Sequence, residues 1–193
     1  WDTWTNDPGG SDDGVVSNAY SNSSPNSMKI VEGDDQVLYF KSDKSAFSSG
    51  YYFYSHKMYV PTGKSGYFNL QAEFDNFWGF EFSINDPESN NSSWIGYGNE
   101  EWIYIDSYIN FNAWMTIDIA VDLDNDQANL WIDGTHIKTW IWSDCGTNEL
   151  HAANYWGNAY SSYEAYYDDI VFGVYAGADA TICASATSYT LSD

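Results

Sequence analysis

Tyr67-Phe68-Asn69-Leu70-Gln71-Ala72-Glu73-Phe74 reads as two interleaved sets. Phe68, Leu70, Ala72 and Phe74 are apolar, whereas Tyr67, Asn69, Gln71 and Glu73 carry hydrogen-bonding groups. A period of two belongs to a strand whose successive side chains leave opposite faces of a sheet, so one face here goes to a core and the other to water. The following segment repeats the pattern, with Trp78, Phe80, Phe82 and Ile84 set against Gly79, Glu81 and Ser83. A parallel sheet covered on both faces would read as unbroken apolar runs, so antiparallel strands are expected. The apolar sets, Phe68, Phe74, Trp78, Phe80 and Phe82 among them, are assigned to the core.

Working outward, Met115, Ile117, Ile119, Val121 and Leu123 alternate with Thr116, Asp118, Ala120 and Asp122. Asp124-Asn125-Asp126-Gln127 breaks the run, and Ala128, Leu130 and Ile132 resume it, which is a hairpin signal. Asp133-Gly134 marks a second tight turn, after which Ile137, Thr139 and Ile141 oppose Lys138, Trp140 and Trp142. These three strands make a meander. Further strands are expected near 27–31, 37–40, 51–60, 101–105 and 166–172, with 61–66 as a turn and 86–93 as a polar loop. No window carries a helical stripe and no fixed-period repeat is visible. Short strands separated by Gly, Asn, Asp and Ser clusters predict an all-β, two-sheet antiparallel β-sandwich over residues 1–172. Residues 173–193 turn small and polar, and read as a C-terminal extension, edge strand or linker.

The chain holds 10 Trp, 17 Tyr and 10 Phe among 193 residues, with 28 carboxylates, six lysines and no arginine. Its formal charge of −22 would repel phosphate, which argues against nucleic acid and acidic lipid surfaces as partners. Neutral ligands and cations remain. Rings flanked by Asp, Asn and Gln suit neutral sugars, whose C–H faces stack while their hydroxyls need short polar partners. No stretch approaches the roughly 20 apolar residues of a membrane span. The start at Trp1, with neither methionine nor apolar leader, is expected of a mature or excised product of a secreted or cell-surface protein. Cys145 and Cys183 have no C-x-x-C spacing and no histidine close by, so a disulfide tying the extension to the body is expected.

Several segments together resemble the concanavalin A-like, laminin-G-type jelly rolls of secreted Bacteroidota-type surface proteins. They are Trp1 to Trp4 with the Asp/Gly loop after it; Ser24 to Ile30; Tyr59 to Gln71; Val121 to Asp124 through Ile132-Asp133-Gly134; Trp140 to Ser143; and Tyr166 to Ile170. The resemblance implies a jelly-roll architecture and leaves the activity open, because such folds host lectins, glycosidases, lyases and adhesive modules alike. It also implies a structural Ca²⁺ held by Asp168 or Asp169 of the last strand with N-terminal ligands from Asp2, Asp12 or Asp13, since calcium takes six to eight oxygens. The run Asp122-Leu123-Asp124-Asn125-Asp126 begins like a calcium loop, but Gln127 stands where glycine is needed, so it reads as a solvated turn.

Glycosidases that resemble this chain carry Glu-x-Asp-x-(x)-Glu on one strand, which points two acids into a cleft. Glu73-Phe74-Asp75-Asn76-Phe77-Trp78 begins that motif and lacks its third acid, and Glu81 comes too late. Lyases on related folds use arginine to hold a uronate, and the chain has none. His56, His136 and His151 are scattered, and no Gly-x-Ser-x-Gly is present. A non-catalytic domain is expected, although Glu73 and Glu81 could face each other from neighbouring strands.

The aromatics opposite the predicted core faces are Trp102 and Tyr104, Trp131, and Trp140 with Trp142. On a concave sheet they would form the floor of a glycan groove, with Tyr67, Asn69, Gln71, Glu73 and Glu81 adding hydrogen bonds where their strands share that sheet. The competing reading has that face covered, so that the tryptophans are structural. The leading expectation is a lectin-like, carbohydrate-binding module that stacks aromatics on a neutral polysaccharide or glycan. The alternative is a structural or adhesive module that meets neighbouring domains or subunits of a surface assembly.

Overall fold

A computed structural model of the chain describes residues 2–3, 9–159 and 162–174. Its strands are β1 (Asp2–Thr3), β2 (Val15–Ser17), β3 (Ser27–Val31), β4 (Asp35–Tyr39), β5 (Tyr51–Tyr59), β6 (Gly66–Glu73) and β7 (Phe77–Asp86). They continue as β8 (Ser92–Tyr97), β9 (Glu101–Tyr104), β10 (Trp114–Asp122), β11 (Gln127–Ile132), β12 (Thr135–Trp140), β13 (Ala152–Trp156) and β14 (Glu164–Val174). One sheet runs β1-β4-β13-β6-β7-β8-β9 and the other β12-β11-β10-β5-β14-β3-β2, all neighbours antiparallel. The expected two-sheet sandwich is the fold.

The alternation of β6 and β7 is what closes it. Phe68, Leu70, Phe80 and Phe82 of the first sheet are wholly buried and meet Met58, Ile117, Ile119 and Leu130 of the second in one core. The β10-β11-β12 meander forms as read, with Asp133 and Gly134 both at positive φ (48° and 74°), the pair of conformations a two-residue hairpin turn requires. Strands β13 and β14 come from the end of the chain yet lie inside their sheets, β13 between β4 and β6, β14 between β5 and β3. The last strand runs on through Gly173 and Val174, two residues past the expected domain end.

Two faces were assigned to the wrong side, and each has a local cause. In β7, Leu70 pairs with Phe80 but Gln71 with Trp78, so Gly79 is an extra residue and the parity of the strand changes there. Trp78 therefore turns outward and is exposed, not part of the core. Phe74, also expected in the core, stays half-buried past the end of β6 beside Tyr39 and His151. In β12 it is Trp140 that sits opposite the buried Ala128 and turns inward, while Ile141 is 52% exposed. The core takes the larger apolar surface of tryptophan in preference to isoleucine. Trp142 follows on a short 3-10 turn (Trp142–Cys145) and is completely buried. Its Nε1 donates to the Glu149 carbonyl at 2.6 Å, and Trp140 Nε1 to the Gly79 carbonyl at 3.2 Å.

Deep between the sheets lies His56, fully buried, its Nδ1 2.9 Å from the Tyr54 hydroxyl, which in turn bonds the Tyr155 hydroxyl. Phe68, Tyr155 and Tyr167 surround the imidazole with ring edges and faces. Burial without a counter-charge holds its pKa down at about 3, so the ring is neutral.

Candidate functional site: the outer face of the first sheet

Antiparallel register sets one row of residues side by side across this sheet: Val37 of β4, Asn154 of β13, Asn69 of β6, Glu81 of β7, Gly96 of β8 and Trp102 of β9. Residues directly opposite one another share a face, and this face is the one turned away from the core. Its polar members bond to each other. Tyr67 Oη donates to Glu81 Oε1 at 2.7 Å; Asn69 Nδ2 donates to Tyr67 Oη and to Asn154 Oδ1, both at 3.2 Å. Asn154 Nδ2 donates to Asp35 Oδ1. A chain of five side chains, Glu81-Tyr67-Asn69-Asn154-Asp35, thus spans four strands.

Aromatic rings wall this floor. Trp156 meets Tyr67 edge-on with centroids 5.8 Å apart, and Trp94 meets Trp102 at 6.5 Å. Trp78, released outward by the Gly79 bulge, stands between two adjoining cavities. One, of about 620 Å³, is lined by Trp78, Glu81, Trp94, Gly96, Glu101 and Trp102. The other, of about 470 Å³, is lined by Asp35, Tyr67, Asn69, Trp78, Asn154 and Trp156, with Glu81 common to both. Gly96 keeps the floor open: a β-carbon there would stand 3.1 Å from Glu81 Oε2. Trp102 and Tyr104, on the sheet's last strand, are 69% and 68% exposed.

The electrostatics follow from partial burial among carboxylates. Burial pushes Glu81 above the usual carboxylate range, and the Tyr67 hydrogen bond opposes it in part. Tyr67 itself is held well above its ordinary value by burial and by the Glu81 charge. Asp35 is raised to about 6, first by burial and then by the charge of Asp12, against the Asn154 hydrogen bond. No lysine lines either cavity.

Of the residues expected to bind ligand, Asn69, Glu81, Trp102 and Tyr104 share this face. Gln71 lies on the same face but is wholly buried, its Oε1 accepting from the Asp75 amide. Glu73 sits at the turn, paired in register with Phe77 and bonded to Asn76, away from Glu81. Trp140 and Trp142 are corrected to core residues, as described above. Trp131 is corrected to the outer face of the other sheet, where it meets His136 edge-on. Trp78, Trp94, Trp156, Asn154 and Asp35 were missed as site residues. The signal for Trp94 and Trp156 was present in the outward-facing Trp94/Gly96 and Asn154/Trp156 pairs, but β8 and β13 lack the apolar runs that announce a strand.

The expected calcium ligands do not gather. Asp168 Oδ2 accepts from the Asn22 and Ser23 amides, its Oδ1 accepts from the Ser23 hydroxyl and the Asp169 amide, and Asp169 Oδ2 accepts from Asn22 Nδ2. These carboxylates pin the 22–23 loop to β14. Asp12 lies instead at β4, its carbonyl accepting from the Asp35 amide, and Asp13 accepts from the Gly9 amide. The Asp2 side chain lies outside the described residues. Among the described residues no group of three or more His, Cys, Asp or Glu is placed to hold a metal. Cys145 lines the larger cavity, and Cys183, its expected partner, lies outside the described residues.

No protein-family model matches the chain, and no curated protein matches it. Solved structures do. An alginate lyase A1-II′ variant superposes with a TM-score of 0.61 at 10% identity, covering 90% of this chain and 88% of that one. CG-16, a homodimeric agglutinin from chicken liver, gives 0.52 at 10% identity over 72% of this chain and all of the agglutinin. The botulinum neurotoxin serotype D binding domain in complex with N-acetylneuraminic acid gives 0.55 at 14%, over 85% of this chain and 43% of that one. At such identities the likeness is one of fold, that of the jelly-roll, concanavalin A-like sandwiches.

Proposed function

We propose that the outer face of the β1–β9 sheet binds a glycan free of anionic groups, as a lectin-like module of an extracellular protein. The observation that carries this reading is the chain of hydrogen-bonded polar side chains, Asn154-Asn69-Tyr67-Glu81, walled by Trp78, Trp94, Trp102 and Trp156. Pyranose rings stack on such walls and place hydroxyls on such a floor. The absence of Lys and Arg from the cavity linings supports a ligand without carboxylate or sulfate. The agglutinin and the toxin domain, both named for binding, agree with a binding role on the same fold, although the toxin domain's N-acetylneuraminic acid is an anionic sugar. A binding role, as opposed to hydrolysis, is supported by register: the side chain opposite Glu81 is Asn69, not a second acid. A glycan array probed with the wild type and with Trp102→Ala tests the reading. Signals that fall with the substitution support it, and signals unchanged on every positive glycan contradict it.

A second reading is favoured by the position of β9, which is an edge strand carrying the exposed Trp102 and Tyr104. Such an edge also suits docking of a neighbouring domain or subunit. Light scattering separates the two: a monomer at all concentrations, with glycan binding intact, counts against assembly through β9.

A further inference from the structure

The polar side chains that line the groove floor have spent their donors; the unpartnered donor on this face, Gln71 Nε2, is buried outside both cavity linings. Tyr67 gives its proton to Glu81, Asn69 Nδ2 serves Tyr67 and Asn154, and Asn154 Nδ2 serves Asp35 and the Gln36 carbonyl. Acceptors are left over. Glu81 Oε2 and the second oxygen of Asp35 take no hydrogen bond from the described residues, and the Asn69 carbonyl oxygen, on a side chain 98% buried, has none either. A ligand that fits this floor must be a donor.

A neutral hydroxyl is a poor match for Glu81. A sugar laid over the carboxylate strips the remaining water from a charge that no lysine offsets, and one neutral hydrogen bond returns little against that desolvation. An ammonium both donates and cancels the charge, and such bonds are about twice as strong as neutral ones. Five of the six lysines are engaged elsewhere, Lys29 and Lys64 with Glu164, Lys41 with the Ala46 carbonyl, Lys44 over Tyr39 and Lys57 with Thr116; Lys138 lies over Tyr97 at the border of the larger cavity and is not in its lining.

We propose that the glycan recognised by this groove carries free amines, as a polymer with unacetylated amino-sugar units does, and that one ammonium seats on Glu81 Oε2 beside Gly96. The inference rests on the glycan reading above and names its ligand class. Asp35 stands three strands from Glu81, about 14 Å at ordinary strand spacing, so it meets a different sugar unit of the same chain. The overall charge of −22 draws such a polycation in.

The test is calorimetric titration of the full chain at pH 6 with a glucosamine hexamer, its fully N-acetylated form and a neutral glucose hexamer. The unacetylated hexamer is expected to bind about tenfold tighter than either, a factor equal to ~1.4 kcal/mol. Glu81→Gln should reduce that preference to within about threefold, and Asp35→Asn should lower it by a smaller factor, each still melting in one cooperative transition. Asp118→Asn, which removes one charge from the opposite sheet's outer face, should leave the preference intact. Equal or tighter binding of the acetylated or neutral hexamer overturns the proposal while leaving the glycan reading in place, and so does a preference that survives Glu81→Gln. Binding of none of the three overturns it as well, and a blank glycan array then removes the broader reading with it.

Discussion

The Tyr67 hydroxyl donates to Glu81 Oε1 at 2.7 Å, joining a buried phenol of β6 to a carboxylate that both groove cavities share. The bond fixes the Glu81 rotamer so that Oε2 turns toward Gly96. Tyr67→Phe removes this donor and the acceptor used by Asn69. The Glu81 carboxyl is then expected to titrate at still higher pH, since the hydrogen bond is what holds it down against burial. Carbon-detected NMR titration of Glu81 reads this directly; an unchanged or lower midpoint contradicts it. Stability should fall by about 1 kcal/mol, the usual net worth of one hydrogen bond.

Gly79 and Trp142 occupy each other's space. A β-carbon on Gly79 would come 2.3 Å from the indole ring, so Gly79→Ala forces the ring to move. Trp142→Ala, which empties a completely buried site, should cost about 3–5 kcal/mol in urea unfolding. Gly79→Ala alone should destabilise by roughly 1–3 kcal/mol through overpacking, yet add little in the Trp142→Ala background, where the clash is gone. Additive costs would mean that the contact is not the cause.

His56 and Asp35 pull the acid stability of the fold in opposite directions. His56 is neutral when folded down to a pKa of about 3, whereas in the unfolded chain it takes up a proton below its ordinary 6.5. Stability is therefore lost as pH falls from 6.5 toward 3, by up to ~1.4 kcal/mol per pH unit. Asp35 is raised to about 6, so the folded chain binds its proton first and stability is gained as pH falls from 6 toward 3.8. Solvent screening at this half-exposed side chain makes the gain the smaller of the two. Unfolding followed from pH 7.5 to 4.5 should show a steeper acid loss in Asp35→Asn and a flatter one in His56→Gln than in the wild type. Parallel profiles in all three would contradict the assignment.

The architecture was legible wherever the two faces of a strand differ in polarity. The alternation in 67–74, 78–84 and 115–132 is the imprint of antiparallel strands with one apolar and one polar face, and strands form there, with Trp78 and Phe74 outside the expected core and the polar face of β6 buried under the groove. The sequence was mute at β8 and β13. Ala152 and Asn154 of β13 face the groove while Ala153 and Tyr155 face the core, so no apolar run stands out. Half the site was hidden for the same reason, since Trp94, Asn154 and Trp156 ride on those strands. Trp78 was misplaced because a single-residue bulge at Gly79 inverts every parity beyond it, and no period reveals where a bulge falls. Trp140 and Trp142 were misplaced because either parity of Ile137 to Trp142 is apolar enough to be a core face.

Trp102 and Trp131 then provide the most direct test of the central claim, since they stand on the outer faces of opposite sheets. Once a positive glycan is found, its affinity is measured by titration for Trp102→Ala and Trp131→Ala. The account predicts a loss of roughly five- to tenfold for Trp102→Ala, in line with about 1 kcal/mol for a ring contact, and no change for Trp131→Ala. Full affinity in Trp102→Ala with a loss in Trp131→Ala would place the site on the other sheet and contradict it.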